Sequence, residues 1–361
     1  MDTDLTVGVE EEFLLVTADG ALSAMGPAIA DNTAEPDGEL QRELARCQVE
    51  AASSVCRTAQ EVLTALSDMR GRLARAAARR GGRLVATATP ILPQNSPLEL
   101  TPEHRYRRMA EHFGEITQTG STCGCHVHVR LPDRETGVRI ASHLRPWLPL
   151  FLALTANSPY TEGRDTGYAS WRQVLWSRWP SSGPPPVFGS LDEYEASVAA
   201  MLRSGAMLDR GMLYWDVRLS DQHPTIEMRV CDVTAEPVVA AMAAALVRAL
   251  VARALDDIES GRPPIAVPTE VLRASFWRAA RDGLSGSCLT PDGQSLRPAV
   301  AQLRDLVTDL APTLKALGDE DFIDSTLHDV LESGGGAKKQ RDAYARRHDL
   351  ADVVDEMVVA G

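Results

Sequence analysis

Polar and apolar residues alternate along residues 6–16 and again along 47–53, with a polar stretch rich in Gly, Asp and Glu between them. That period of two predicts two strands joined by a loop. Residues 57–80 change to a helical spacing and stop at Gly81-Gly82, a pair that caps helix C-termini. Residues 84–89 read as a buried strand, and 102–118 as a helix starting after Thr101-Pro102. Alternation returns over 123–131, and 137–156 is mostly helical in spite of Pro146 and Pro149.

Residues 157–189 are irregular and hold Trp171, Trp176, Trp179 and the run Ser181-Ser182-Gly183-Pro184-Pro185-Pro186. Loops of that length are commonly lids or binding loops. Residues 213–220 and 225–230 form a predicted hairpin around Asp221-Gln222-His223-Pro224, and nearly everything beyond 236 reads as helix. With no repeat and no linker, the pattern predicts one α+β domain over residues 1–361, an antiparallel sheet under a helical cover.

Composition narrows the chemistry. In 361 residues, 37 Lys+Arg stand against 50 Asp+Glu, a net charge of −13 that repels nucleic acid and anionic membrane surfaces. Only Lys315, Lys338 and Lys339 are lysines, so an anion held by the first 300 residues needs Arg, His, backbone N–H groups or a metal. The acidic N-terminal segment lacks a basic, then apolar, leader pattern, and the most apolar stretch, 238–255, is broken by Arg248 and Arg253. These features predict a cytoplasmic protein with a core-packed helix there. Six Cys without a pairing pattern are expected as reduced thiols, with Cys123 and Cys125 turned to the apolar side.

Residues two apart on a strand share a face. Glu10 and Glu12 therefore lie together, opposite Val7, Val9, Phe13 and Leu15, with Glu11 the one charge on the apolar side. His126, His128 and Arg130 share a face, as do Glu227 with Arg229, and Tyr214 with Asp216 and Arg218; Glu50 adds another carboxylate. A solvated sheet face would favour Lys, Thr and Gln. Glu, His and Arg crowded on one face instead call for cations, and an oxygen-rich set with one or two His suits Mg2+, with Mn2+ as the alternative. Arg218 and Arg229 suit phosphate or carboxylate groups.

Four motifs in order, VGVEEEF, CGCHVHV, ANSPY followed by RDTGYASWR, and DVRLSDQHPTIEMRVCD, span nearly the whole chain. Together they resemble the glutamate–cysteine ligase type 2 family, the carboxylate–amine ligases of the YbdK kind. The resemblance implies a glutamine-synthetase-like catalytic domain, with a curved, mostly antiparallel sheet forming a funnel and helices outside. It implies ATP and Mg2+ as cofactors, a glutamate-like acid and a cysteine-like amine as substrates, a homodimer, and weak glutamate–cysteine ligase activity. By motif, Glu10, Glu12, Glu50, Glu227 and His126 are expected to hold metal and His128 to contact nucleotide phosphate. Arg229 is expected to stabilise the migrating phosphoryl group and Arg218 to act on it or on the substrate carboxylate. Arg172 is expected to bind substrate.

Residues 333–336, Ser-Gly-Gly-Gly, read equally well as a phosphate cradle or as a helix-capping loop, and Arg341 beyond them is assigned to nucleotide phosphate. Two alternatives stay open: a metal-dependent hydrolase using His126 and His128, and a non-catalytic binding member of the fold. Against the first stands the surplus of Glu over His and the lack of HExxH.

Overall fold

The computed structural model describes residues 5–31, 39–94, 97–119 and 121–361. The strands are β1 (Val7–Val16), β2 (Glu39–Arg42), β3 (Gln48–Ala52), β4 (Arg83–Val85), β5 (Gly124–Arg130), the short pair β6 (Tyr160–Thr161) and β7 (Arg164–Asp165), β8 (Val217–Leu219), β9 (Thr225–Asp232), and a last pair β10 (Ser287–Leu289) and β11 (Leu296–Pro298). Seven of them make one open antiparallel sheet in the order β2-β3-β1-β5-β9-β8, with β4 paired to the end of β1.

The predicted apolar face is the core face. Val7, Val9, Phe13 and Leu15 of β1, Val127 and Val129 of β5, and Ile226 and Met228 of β9 are all buried. Against them pack the helices Ala59–Ala78 and Pro237–Glu259. Each fully buried Val, Leu, Ile or Phe contributes roughly 1.5–3 kcal/mol, so this layer holds the sheet and leaves the other face free for charge. Helix Ala59–Ala78 starts on Thr58, whose hydroxyl accepts the Glu61 N–H at 3.2 Å. It ends where Gly81, at φ +71°, turns the chain back.

Helix Pro237–Glu259 is long and apolar enough to cross a membrane, yet most of it lies inside the protein. Its Arg248 is buried and donates to Asp319 Oδ2 at 2.6 Å and to the Leu317 carbonyl at 2.8 Å. Arg253 lies over the Trp147 ring, 5.3 Å from its centroid. Glu11 is also satisfied: the Arg70 guanidinium, from helix Ala59–Ala78, meets its two oxygens at 2.8 and 2.5 Å.

Several elements differ from the sequence pattern. Where the sequence pattern predicts only loop, β2 is an edge strand with Gln41 and Arg42 exposed, so its residues carry no apolar alternation. The helix expected over 137–156 is two, Arg134–Leu144 and Leu148–Thr155, split by a tight turn at Arg145–Trp147. Pro146 lacks the N–H needed to continue the first, and Pro149 sits in the opening turn of the second. Residues 86–89 leave the sheet because Ala86 N–H bonds Met357 O and Ala88 N–H bonds Asn157 O. β8 is only three residues long; Tyr214 before it packs instead among Trp176 and Trp179. The β10–β11 pair interrupts the helical C-terminal part.

The irregular stretch 157–189 carries β6, β7 and the helix Trp171–Trp176. One buried carboxylate organises it. Asp232 at the end of β9 accepts Asn157 N–H at 2.9 Å, Ser158 Oγ–H at 2.7 Å and Ser170 Oγ–H at 2.9 Å. The ANSPY and YASWR motifs are thus tied to the strand that bears Glu227 and Arg229.

Candidate active site

The strand register sets charged residues side by side across the polar face. Glu12 lies opposite Glu50, Glu10 opposite His126, His128 opposite Glu227, and Glu227 opposite Arg218. Between the pairs Cys125–Cys231 and Val127–Met228, β5 has one residue and β9 two, a bulge beside His126. Arg229 is in that bulge, and its backbone N–H donates to the Asp216 carbonyl at 2.8 Å.

At the centre, Glu10 lies between both imidazoles, 3.1 Å from His126 Nδ1 and 3.2 Å from His128 Nε2. His128 Nδ1 is 2.9 Å from Thr225 Oγ1. Glu227 is shared by two guanidinium groups: Arg218 Nε donates to Oε2 at 2.7 Å, and Arg229 donates to Oε1. Arg218 is further fixed by the Leu213 carbonyl at 2.8 Å. Glu12 accepts the Gly124 N–H at 2.5 Å. A side chain at Gly124 would collide with the Arg172 guanidinium and come to 3.0 Å from His126 Nε2, so only Gly leaves room for both.

Three sets of ligand atoms converge closely enough for a cation: Glu10–Glu50–His126, Glu10–His128–Glu227, and Glu12–Glu43–Glu50, each with its atoms within 4.8 Å of one another. The electrostatics suit that use. Burial, then the Glu12 charge, pushes Glu43 up to about 7. Burial, then the charges of Glu43, Glu10 and Glu12, pushes Glu50 well above the carboxylate range. Burial opposes ionisation of Glu10, but hydrogen bonds from His126 and His128 outweigh it and hold it low. Glu227 is likewise buried and is held well below its usual value by Arg218 and Arg229. His126 is lowered by burial and the nearby Arg229, and its buried Nε2 has no hydrogen-bond partner among the described residues. Crowded carboxyls that resist ionisation, next to an orphaned imidazole nitrogen, are a donor set that a divalent cation satisfies.

All five residues assigned to metal are brought together, with His128, Arg218 and Arg229 among them. Arg172 is fully buried in the wall, its guanidinium 3.3–3.4 Å from the Arg229 and Val230 carbonyls. Arg341 lies elsewhere: it pairs with Asp165 at 2.8 Å and with the Tyr168 carbonyl at 2.8 Å. Two residues were missed. Glu43 falls in the segment read as loop, with no periodicity to mark it, and it joins the cluster through the turn before β3. Asp216 was placed on the charged face without a role. It is buried, one carboxylate oxygen has no partner among the described residues, and burial lifts it to about 7 against the charges of Arg172 and Arg229. All six cysteines are free and buried, and burial raises the Cys123 and Cys125 thiols far above their usual value, which fits inert packing.

Residues 6–356 match the family model described as Glutamate-cysteine ligase family 2 (GCS2). The chain belongs to this family. Its members among curated proteins include "Putative glutamate--cysteine ligase 2-1" of Rhodococcus jostii (strain RHA1), 49% identical over 352 residues, which cover 98% of this chain and 95% of that protein. Among solved structures, glutamate–cysteine ligase from Francisella tularensis in complex with AMP superposes with a TM-score of 0.67 at 13% identity, covering 98% of this chain and 87% of that one. The bifunctional glutathione synthetase from Pasteurella multocida gives a TM-score of 0.70 at 14% identity over 98% of this chain, which spans 52% of that larger protein. Family members and fold neighbours are ligases, and the open antiparallel sheet with outer helices is the glutamine-synthetase-like fold of the expected funnel.

Proposed function

We propose that this family member is an ATP-dependent carboxylate–amine ligase that forms an amide through an acyl phosphate and releases ADP and phosphate. We assign it a glutamate-like acid, a cysteine-like amine and weak glutamate–cysteine ligase activity. The observation that carries this reading is the row of cross-strand pairs from Glu50 to Arg218, with Arg229 inside it. A carboxylate and an ammonium do not condense unaided in water, and phosphoryl transfer needs positioning and charge neutralisation more than covalent help.

Glu10, Glu12, Glu43, Glu50, Glu227 and His126 would hold Mg2+, which when bound neutralises charge on the β- and γ-phosphates. A cavity of about 390 Å3 at the open end of the sheet supports placing the nucleotide there. Glu10, His128, Val55, Arg130 and His223 are in its lining. His128 then meets phosphate, with the base over Val55 and His223. Arg229 and Arg218 stand where the migrating group gathers charge. Asp216, which immediately precedes the strand of Arg218, is suited by its raised value to accept the proton that the amine nucleophile loses. The 157–189 segment walls the site from water. Arg341, paired with Asp165, acts on phosphate in this scheme only by leaving that partner.

The test is a trapping experiment with enzyme, Mg2+, ATP and glutamate. Hydroxylamine is expected to yield a hydroxamate, and 18O in the acid is expected to appear in the released phosphate. Unlabelled phosphate rules out the acyl phosphate, AMP as product points to adenylation, and phosphate release independent of any acid supports the hydrolase.

Metal should govern nucleotide binding. Glu10→Gln and Glu12→Gln are each expected to weaken a non-hydrolysable ATP analogue about tenfold in Mg2+, roughly 1.4 kcal/mol, with an unchanged circular dichroism spectrum. Equal affinity in Mg2+ and in EDTA, by calorimetry, would remove the metal assignment.

A further inference from the structure

Away from the charged sheet face, the 157–189 segment and the helix Thr269–Asp282 enclose a second cavity of about 600 Å3, within the range of small-molecule sites. Tyr168, Trp179, Phe276 and Trp277 line it. Trp277 is 53% exposed, and its indole N–H donates to the Tyr168 hydroxyl at 3.2 Å, which fixes the ring in the cavity wall.

The charge of this cavity is unusual for the chain. Arg178 and Arg273 both line it, neither has an acidic partner among the described residues, and no Asp or Glu is in its lining. Acids outnumber bases 50 to 37 in the sequence. In the cavity of about 430 Å3 beside the helix Gly335–Arg347, by contrast, Lys339 and Arg346 are neutralised by Glu236 and Glu356.

We propose that this cavity binds a small planar organic anion of the aromatic carboxylate class. The anion lies between Arg178 and Arg273, and the ring packs on Trp277 and Phe276. The site is separate from the funnel but shares a wall with it. Gln173 follows Arg172 on the helix Trp171–Trp176, and Gly183, also in the lining, accepts the Asp216 N–H through its carbonyl at 2.9 Å.

The test is calorimetric titration of the full chain with indole-3-carboxylate and, separately, its uncharged methyl ester. One saturable site is expected, with the acid binding at least tenfold tighter than the ester. Arg178→Ala/Arg273→Ala should weaken the acid at least tenfold and leave the ester unchanged; both arginines are exposed, so the fold should persist, as circular dichroism can verify. A saturating ATP analogue should not displace the probe. No saturation at millimolar probe, equal affinity for acid and ester, or displacement by the nucleotide analogue would each overturn the proposal. The acid–ester comparison on the unaltered chain decides the matter even where the double variant fails to fold.

Discussion

Arg229→Lys is expected to lower turnover about a hundredfold, roughly 3 kcal/mol of transition-state stabilisation, while nucleotide affinity changes much less. Arg229 is 8% exposed, and its guanidinium donates to Glu227 and lies 3.5 Å from His126 Nδ1. Its buried Nε has no partner among the described residues. The neighbouring charges of Glu227, Glu12 and Glu10 outweigh burial and keep it fully protonated. Lysine supplies the charge but neither the fork nor the reach, and the shared carboxylate Glu227 would lose one of its two guanidinium partners. Ground-state binding suffers less because the proposed metal ligands and the proposed nucleotide cavity remain. The measurement is steady-state ADP release with glutamate and cysteine, alongside affinity for an ATP analogue. Near-normal turnover would reduce Arg229 to a structural partner of Glu227 and leave Arg218 with the catalytic assignment.

Glu11→Ala is expected to cost about 3–5 kcal/mol of stability, because it leaves the Arg70 guanidinium buried and uncompensated. Glu11 is 0% and Arg70 3% exposed, and the pair is bidentate. Arg70 also donates to the Thr234 carbonyl at 2.9 Å and packs over the Phe13 ring, so it ties β1 to the segment following β9. Glu11→Leu combined with Arg70→Met should recover most of the loss, since removing both charges avoids the desolvation cost. Urea unfolding of the parent and the two variants checks this. A single variant within 1 kcal/mol of the parent would show that water reaches the guanidinium. Loss in the double variant as large as in the single one would place the energy in backbone ties.

The charged face was legible because strands β1, β5 and β9 obey a period of two wherever one face is buried. Val9, Val127 and Met228 had to point one way, so Glu10, Glu12, His126, His128 and Glu227 had to point the other. Glu11 broke the pattern, and nothing in the local sequence showed why; its partner Arg70 is 59 residues away on a helix. Proline placement was visible but misread: Pro146 and Pro149 divide one apparent helix into two, since tertiary packing accepts the break. β2 and Glu43 were hidden for a different reason. An exposed edge strand and the turn after it bury no apolar stripe, and so they leave no periodic trace.

By itself, the sequence determined the class of the fold, the face on which each charged strand residue lies and, through four ordered motifs, the family, because these depend on local alternation and on residue identity. Only the tertiary structure decided which charges meet. Strand order and register are set by contacts between segments far apart in the chain, and these put Glu12 against Glu50, Glu10 against His126, and both Arg218 and Arg229 on Glu227. The same long-range packing brought Glu43 into the cluster, held Arg172 in the wall and gave Arg341 to Asp165. Pairing energies fall off within a few ångströms, and separation along the chain carries no information about that distance.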